Sequence, residues 1–137
     1  MLAAGQGAFN AGNYNEALRL WRPLAEAGVA AAQYDLGFLY ESGWGVPRDY
    51  RQAAKWYELA ADQGNSKAEF NLGLMQLDGL GVDTDIPSGI ALVERSAAQG
   101  HAKAQEFLAD AYRQGRYGLP QDAAKANQWA AKAAVVR

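Results

Sequence analysis

His101 is the only histidine in the chain, and there is no cysteine. One imidazole with neither thiolate nor clustered carboxylates falls short of a metal-ligand set and of a nucleophilic triad. It follows Gly100 where a helical stretch opens, and reads as a turn residue. Glu41 and Asp78 lie near turns, and Asp110 joins them by position. A hydrolytic pair needs two carboxyls ~5–10 Å apart in a pocket. These three are a helix-pair step apart and read as solvated groups. Gly43-x-Gly45 and Gly79-x-Gly81 carry the glycines of a phosphate loop. They lack the preceding strand and the terminal Lys-Ser/Thr, so they read as turns. Arg48, Arg51 and Lys55, or Lys125 and Lys132, are too sparse for a phosphate-binding surface. Trp21, Trp56 and Trp129 read as inter-helix packing. Trp44, held between two glycines, is a candidate contact on a loop edge. These residues support no catalytic chemistry, so no enzyme activity, catalytic residue, metal or cofactor is expected.

The elements that carry these residues repeat. Val29 to Gly64 reads as a helix, a glycine-rich turn, a second helix and a closing glycine. The next block repeats it at a period of 36: Leu36-Gly37 returns as Leu72-Gly73, Gly43-x-Gly45-Val46 as Gly79-x-Gly81-Val82, Asp49 as Asp85, and Gln63-Gly64 as Gln99-Gly100. A fixed period in this range marks a stacked-repeat protein. Ala32, Leu36, Gly37 and Tyr40 form one helical stripe; Ala53, Trp56, Tyr57, Ala60 and Ala61 form another. A mid-helix glycine costs roughly 1 kcal/mol, so Gly37 predicts a close helix approach. Asn13 and Asp49 are placed as N-caps, Gly28 as a C-cap. Pro23, inside a helical pattern, predicts a kink or break near Arg22. A fourth unit begins at His101 with one extra turn residue, after which Leu119-Pro120-Gln121-Asp122 matches Val46-Pro47-Arg48-Asp49 at an offset of 73.

At 137 residues, half of them hydrophobic, the chain is one short solenoid with enough apolar surface for a core. A net charge of −2 supplies no basic field for nucleic acid. No apolar run approaches the ~18 residues of a membrane span, so no membrane insertion is expected. No signal peptide is legible, though a leader removed before Met1 would leave no trace. The compartment stays open: periplasm or secretion if such a leader existed, cytoplasm otherwise. A monomer or weak dimer is expected.

The pattern of alanine, Leu36-Gly37, Tyr40, Gly43-x-Gly45-Val46, Asp49, Ala53, Trp56-Tyr57 and Ala60-Ala61 closely resembles the Sel-1-like repeat, a relative of the tetratricopeptide repeat. The resemblance covers residues 29–137. Residues 1–28 look more like a tetratricopeptide unit with a short turn, through Gly12-x-Tyr14-x-Glu16-Ala17. The stretch Ala17-Leu18-x-x-Trp21-x-Pro23-Leu24-Ala25 resembles bacterial members, many of them exported. The resemblance implies an all-α, α/α superhelical solenoid of about four helix-turn-helix repeats, or eight helices. Its units are 1–28, 29–64, 65–100 and 101–137. It further implies a non-enzymatic scaffold or adaptor whose partner is another protein. In the related tetratricopeptide fold, concave residues lie two before, two after and five after the Leu-Gly leucine. By position these are Tyr34, Phe38 and Glu41; Phe70, Leu74 and Leu77; and Glu106, Asp110 and Arg113. Exposed aromatics along such a groove suit a peptide or helix. An inhibitor or immunity-type protein that blocks a partner enzyme is the alternative.

Overall fold

A computed structural model of the protein describes residues 2–135, so the outermost residues of the four-unit span, Met1, Val136 and Arg137, lie outside the described residues. Among those described there are eight α-helices and no strand: α1 (Leu2–Asn10), α2 (Tyr14–Glu26), α3 (Ala30–Ser42), α4 (Tyr50–Asp62), α5 (Ser66–Asp78), α6 (Ile86–Ala98), α7 (Ala102–Gln114) and α8 (Ala123–Ala133). Each packs chiefly on its neighbours in the chain, which makes the all-α repeat solenoid that the 36-residue period predicts.

The repeated polar residues are the punctuation of these helices. The side chains of Asn13, Asp49, Asp85 and Asp122 accept the backbone N–H three residues on, at 3.4, 3.1, 3.1 and 3.0 Å. Each satisfies a donor that the first helical turn leaves unpaired. The helices α3, α5 and α7 end on Gly43, Gly79 and Gly115, all in the left-handed region that suits glycine.

Two glycines of the repeat serve close approach. A methyl group on Gly37 would stand 2.6 Å from the Tyr57 ring, so the glycine expected to admit a neighbouring helix admits the aromatic face of α4. A methyl group on Gly45 would stand 2.9 Å from the backbone of Tyr14. The Gly-x-Gly turn is therefore the surface by which one unit seats on the start of the preceding unit's second helix.

The break expected at Pro23 is absent, because α2 runs unbroken through it. Pro23 lies in the last turn and is exposed, so only the Arg19 carbonyl loses its N–H partner and water can replace it.

The core is a row of three clusters, one per junction between units: Trp21 with Leu36 and Leu39; Tyr57 with Leu72 and Met75; Val93 with Phe70, Leu108 and Tyr112. Trp21 is buried, whereas Trp56 and Trp129 are half-buried and cover the clusters from outside. Polar latches recur with the period. Gln63 Nε2 donates to Gln33 Oε1 at 3.0 Å, and Gln99 Nε2 donates to Glu69 Oε1 at 2.6 Å. Glu69, almost wholly buried, is also paired with Arg95 at 3.0 Å. A buried carboxylate is tolerable on these terms, with both a charge and a hydrogen-bond partner.

Candidate partner-binding groove

The odd-numbered helices lie side by side, as ring contacts between them show. Phe9 of α1 stands 6.1 Å from Phe38 of α3, and Phe70 of α5 stands 6.1 Å from Phe107 of α7. The Lys67 ammonium of α5 lies over the Tyr34 ring of α3 at 5.8 Å. Between α1, α3 and α5 runs a cleft of about 220 Å³ lined by Gln6, Phe9, Trp21, Tyr34, Asp35, Phe38 and Lys67. Trp21 is its buried wall; the other rings are half-exposed.

Trp44 extends the cleft. Its ring stacks on Tyr14 at 4.9 Å and meets Phe38 edge-on at 5.6 Å. It remains 40% exposed. Trp44, the candidate loop-edge residue, thus adjoins the groove and is supported by Tyr14. Phe9, Tyr14, Phe38 and Trp44 form one continuous aromatic surface across two units. Apolar side chains of this size on one exposed patch are uncommon unless something covers them.

The nine groove positions read from the sequence divide into three kinds. Tyr34 and Phe38 line the cleft. Glu41, Phe70, Leu74 and Leu77 are engaged within the fold. Glu41 accepts the Tyr57 hydroxyl at 2.6 Å and so ties α3 to α4. Burial first, and the Glu41 charge second, push the Tyr57 hydroxyl well above its usual range and hold it as a donor. Phe70 is 8% exposed, with its ring against His101 and Phe107, and Leu74 packs on the same cluster. Leu77 is 7% exposed, and a methyl group on Gly89 would meet it at 2.9 Å. Phe70 and Leu77 are buried and offer little surface to a partner, whereas Glu41 and Leu74 stay partly exposed. Glu106, Asp110 and Arg113 are exposed on α7. Asp110 accepts from Gln114 at 2.8 Å. Glu106 and Arg113 border a separate cleft with Ala109 and residues of α8. Position 34 of the second unit faces the third unit; its counterpart in the fourth, Glu106, has no further unit described beside it.

Phe9, Tyr14, Asp35 and Lys67 are groove residues that positional transfer misses. The first unit's short turn hides Phe9: Gly5 and Gly37 are 32 apart, while Trp21 and Tyr57 are 36 apart. Had Gly5, which would carry its methyl group into the Trp21 ring, been aligned with Gly37, Phe9 would have fallen at the Glu41 position. Asp35 sits one residue beyond a transferred position.

Two titratable groups border this region. Asp35 is half-buried, and burial raises its carboxyl to about 6, against a smaller opposing pull from Lys67. Tyr34 is also raised, by burial first and by Asp35 second. His101 packs on Phe70, and its imidazole is lowered by burial and then by Lys103 and Lys67. His101 occupies the N-cap position of α7 without a side-chain capping bond, at the helix opening where the sequence places it. Among the described residues no group of three or more His, Asp or Glu side chains could hold a metal.

The Sel1 repeat family model matches residues 1–29, 30–65, 66–101 and 102–134, nearly the whole chain. The chain belongs to the Sel1 repeat family. Its match includes the first 29 residues, for which the sequence predicts a unit closer to the tetratricopeptide form. A Sel1 repeat protein from Oxalobacter formigenes superposes with a TM-score of 0.91 at 34% identity, covering 98% of this chain and 54% of the other. A second solved structure is c5321, a protective antigen of uropathogenic Escherichia coli strains with the same repeat fold. It gives a TM-score of 0.86 at 37% identity, covering 97% of this chain and 29% of that one. The chain therefore spans about half the length of the first and less than a third of the second. No match was found among curated proteins. Sel1 repeat proteins are in general scaffolds for protein–protein interaction, and the fold is typically non-catalytic.

Proposed function

We propose that this Sel1 repeat chain is a non-enzymatic adaptor that seats a peptide or helix of a partner protein in the cleft between α1, α3 and α5. One observation carries the reading. The rings of Phe9, Tyr14, Phe38 and Trp44 form a continuous, partly exposed surface beside a concavity, on helices held rigid by the core behind them. Aromatic anchors on a pre-formed surface give a partner much contact area at a small ordering cost. The fold supports the reading, since repeat units stacked in this way present a long shared face that no single unit possesses.

The test is partner capture from the source cell with the intact chain and with the double variant Phe9→Ala/Phe38→Ala, after circular dichroism has shown the variant folded. Loss of about tenfold or more in affinity for the captured protein is expected, as for central interface aromatics. Unchanged affinity in a folded double variant would place the binding surface elsewhere.

A further inference from the structure

The Asp35 carboxylate is out of keeping with the other acids near the core. Glu41 takes the Tyr57 hydroxyl, and Glu69 takes Gln99 and Arg95. Asp35 is half-buried beside the rings of Phe9, Tyr34 and Phe38, and among the described residues it has neither a hydrogen bond nor an ion pair. The nearest cation, Lys67, is turned over the Tyr34 ring and makes no ion pair with it. Removing a carboxylate from water without a partner costs free energy. That cost shows as the rise of its carboxyl to about 6. The counterparts of Asp35 in the next two units are Asn71, which donates to the Tyr57 hydroxyl at 3.2 Å, and Phe107. The repeat architecture therefore has no need of an acid at this position. A carboxylate in a concave aromatic site, offset only by the weaker pull of Lys67 and without an ion pair, leaves a place for a ligand to supply the partner.

We propose that the cleft holds the cationic side chain, arginine or lysine, of the partner segment, with Asp35 as its counter-charge and Phe9, Tyr34 and Phe38 as its aromatic walls. This rests on the groove reading above and specifies the chemistry of the occupant. Aromatic faces attract cations through the ring quadrupole, and Lys67 over Tyr34 is an instance within the same cleft. A carboxylate beside such walls adds charge and direction. A carboxylate-bearing side chain would meet Asp35 at close quarters and be rejected. Lys67 lines the cleft rim and opposes a second cation, so its removal should tighten binding.

The test begins with selection of a displayed random dodecapeptide library on the intact 137-residue chain. The enriched sequences should carry Arg or Lys at one fixed position. In the best of them, replacing that Arg by citrulline, or that Lys by its acetylated form, keeps shape and removes charge. Calorimetry should then show at least about a tenfold loss of affinity. Asp35→Asn should erase the difference between charged and neutral peptides, and Lys67→Met should strengthen the charged one. Peptides that bind equally in both forms, yet lose binding in Phe38→Ala, overturn the cationic pocket and leave the groove standing. Enrichment of acidic peptides weakened by Lys67→Met reverses its polarity and overturns it equally. Peptides indifferent to Phe38→Ala, or no enrichment at all, overturn both the groove and the pocket. Because Asp35→Asn removes an unfavourable buried charge, a raised melting temperature with lost charge selectivity is expected. Loss of binding through misfolding would show instead as a lowered one.

Discussion

Asp35 shows what a single side chain can contribute at a cost to the fold. Its carboxyl titrates near 6 in the folded chain, raised by burial, against about 3.9 in an unfolded one. Between those values the folded state binds more protons, so stability at this site falls as pH rises through the interval and is least above it. Asp35→Asn should stabilise the protein by about 1–2 kcal/mol at pH 7, somewhat less than the full shift implies because the group is only half-buried. The gain should fade as pH is lowered toward the unfolded value. Urea denaturation of both forms at neutral and at acid pH measures it; equal stability at pH 7 would show that the charge is better solvated than its position suggests. None of this is legible in the order of residues. Asp35 reads as one more polar residue on an amphipathic helix, because its burial depends on Phe9 from a different unit. Trp44, by contrast, is conspicuous in the sequence, flanked by glycines in a turn that no helix can absorb.

At the scale of elements, the helix pair was readable almost in full. Caps, closing glycines and both apolar stripes recur with the period and mean the same thing each time. The close approach at Gly37 was foreseeable because a mid-helix glycine is otherwise costly. Gly37→Ala should destabilise by about 2–3 kcal/mol, since the Tyr57 ring must move to admit the methyl group. Gly7→Ala in α1, where nothing stands within 4 Å, should stabilise by about 0.5–1 kcal/mol. Thermal unfolding of the two variants compares them directly, and shifts of the same sign would refute the packing argument. The third unit's departures also have local consequences. Tyr40 accepts the Arg22 guanidinium at 2.9 Å across the junction of units. Its counterpart Gln76 leaves Oε1 buried without a partner, beside a cleft bordered by Glu58, the counterpart of Arg22. Gln76→Tyr should fill that space and donate to Glu58, stabilising by about 1 kcal/mol in denaturant titration. Less readable was Pro23, because its effect depends on falling in the last turn and not on its being inside a helical pattern.

The whole molecule is a line of units, each touching only its neighbours, and its properties follow from that. Interior helices are packed extensively on both sides, while α1 and α8 each share an extensive contact with one helix only, α2 and α7 respectively. Amide exchange should therefore be slowest in α3 to α6 and fastest at the two ends; uniform protection would indicate a single cooperative block instead. Function belongs to this scale as well. The groove exists because α1, α3 and α5 come from three different units, and Tyr14 and Trp44 meet across the same boundary as Phe9 and Phe38. Position-by-position transfer found Tyr34 and Phe38, which lie on one helix. It missed Phe9 and Lys67, which enter the cleft from other units, and included Phe70, which the next unit covers, and Leu77, which packs near Gly89 of its own unit. The most direct test of the groove is photocrosslinking from a benzoylphenylalanine placed at position 38 and, separately, at position 59, since Leu59 is exposed on α4 outside the cleft. Adducts with the partner from position 38 and none from position 59 are the expected result. Adducts from position 59 alone would contradict the account.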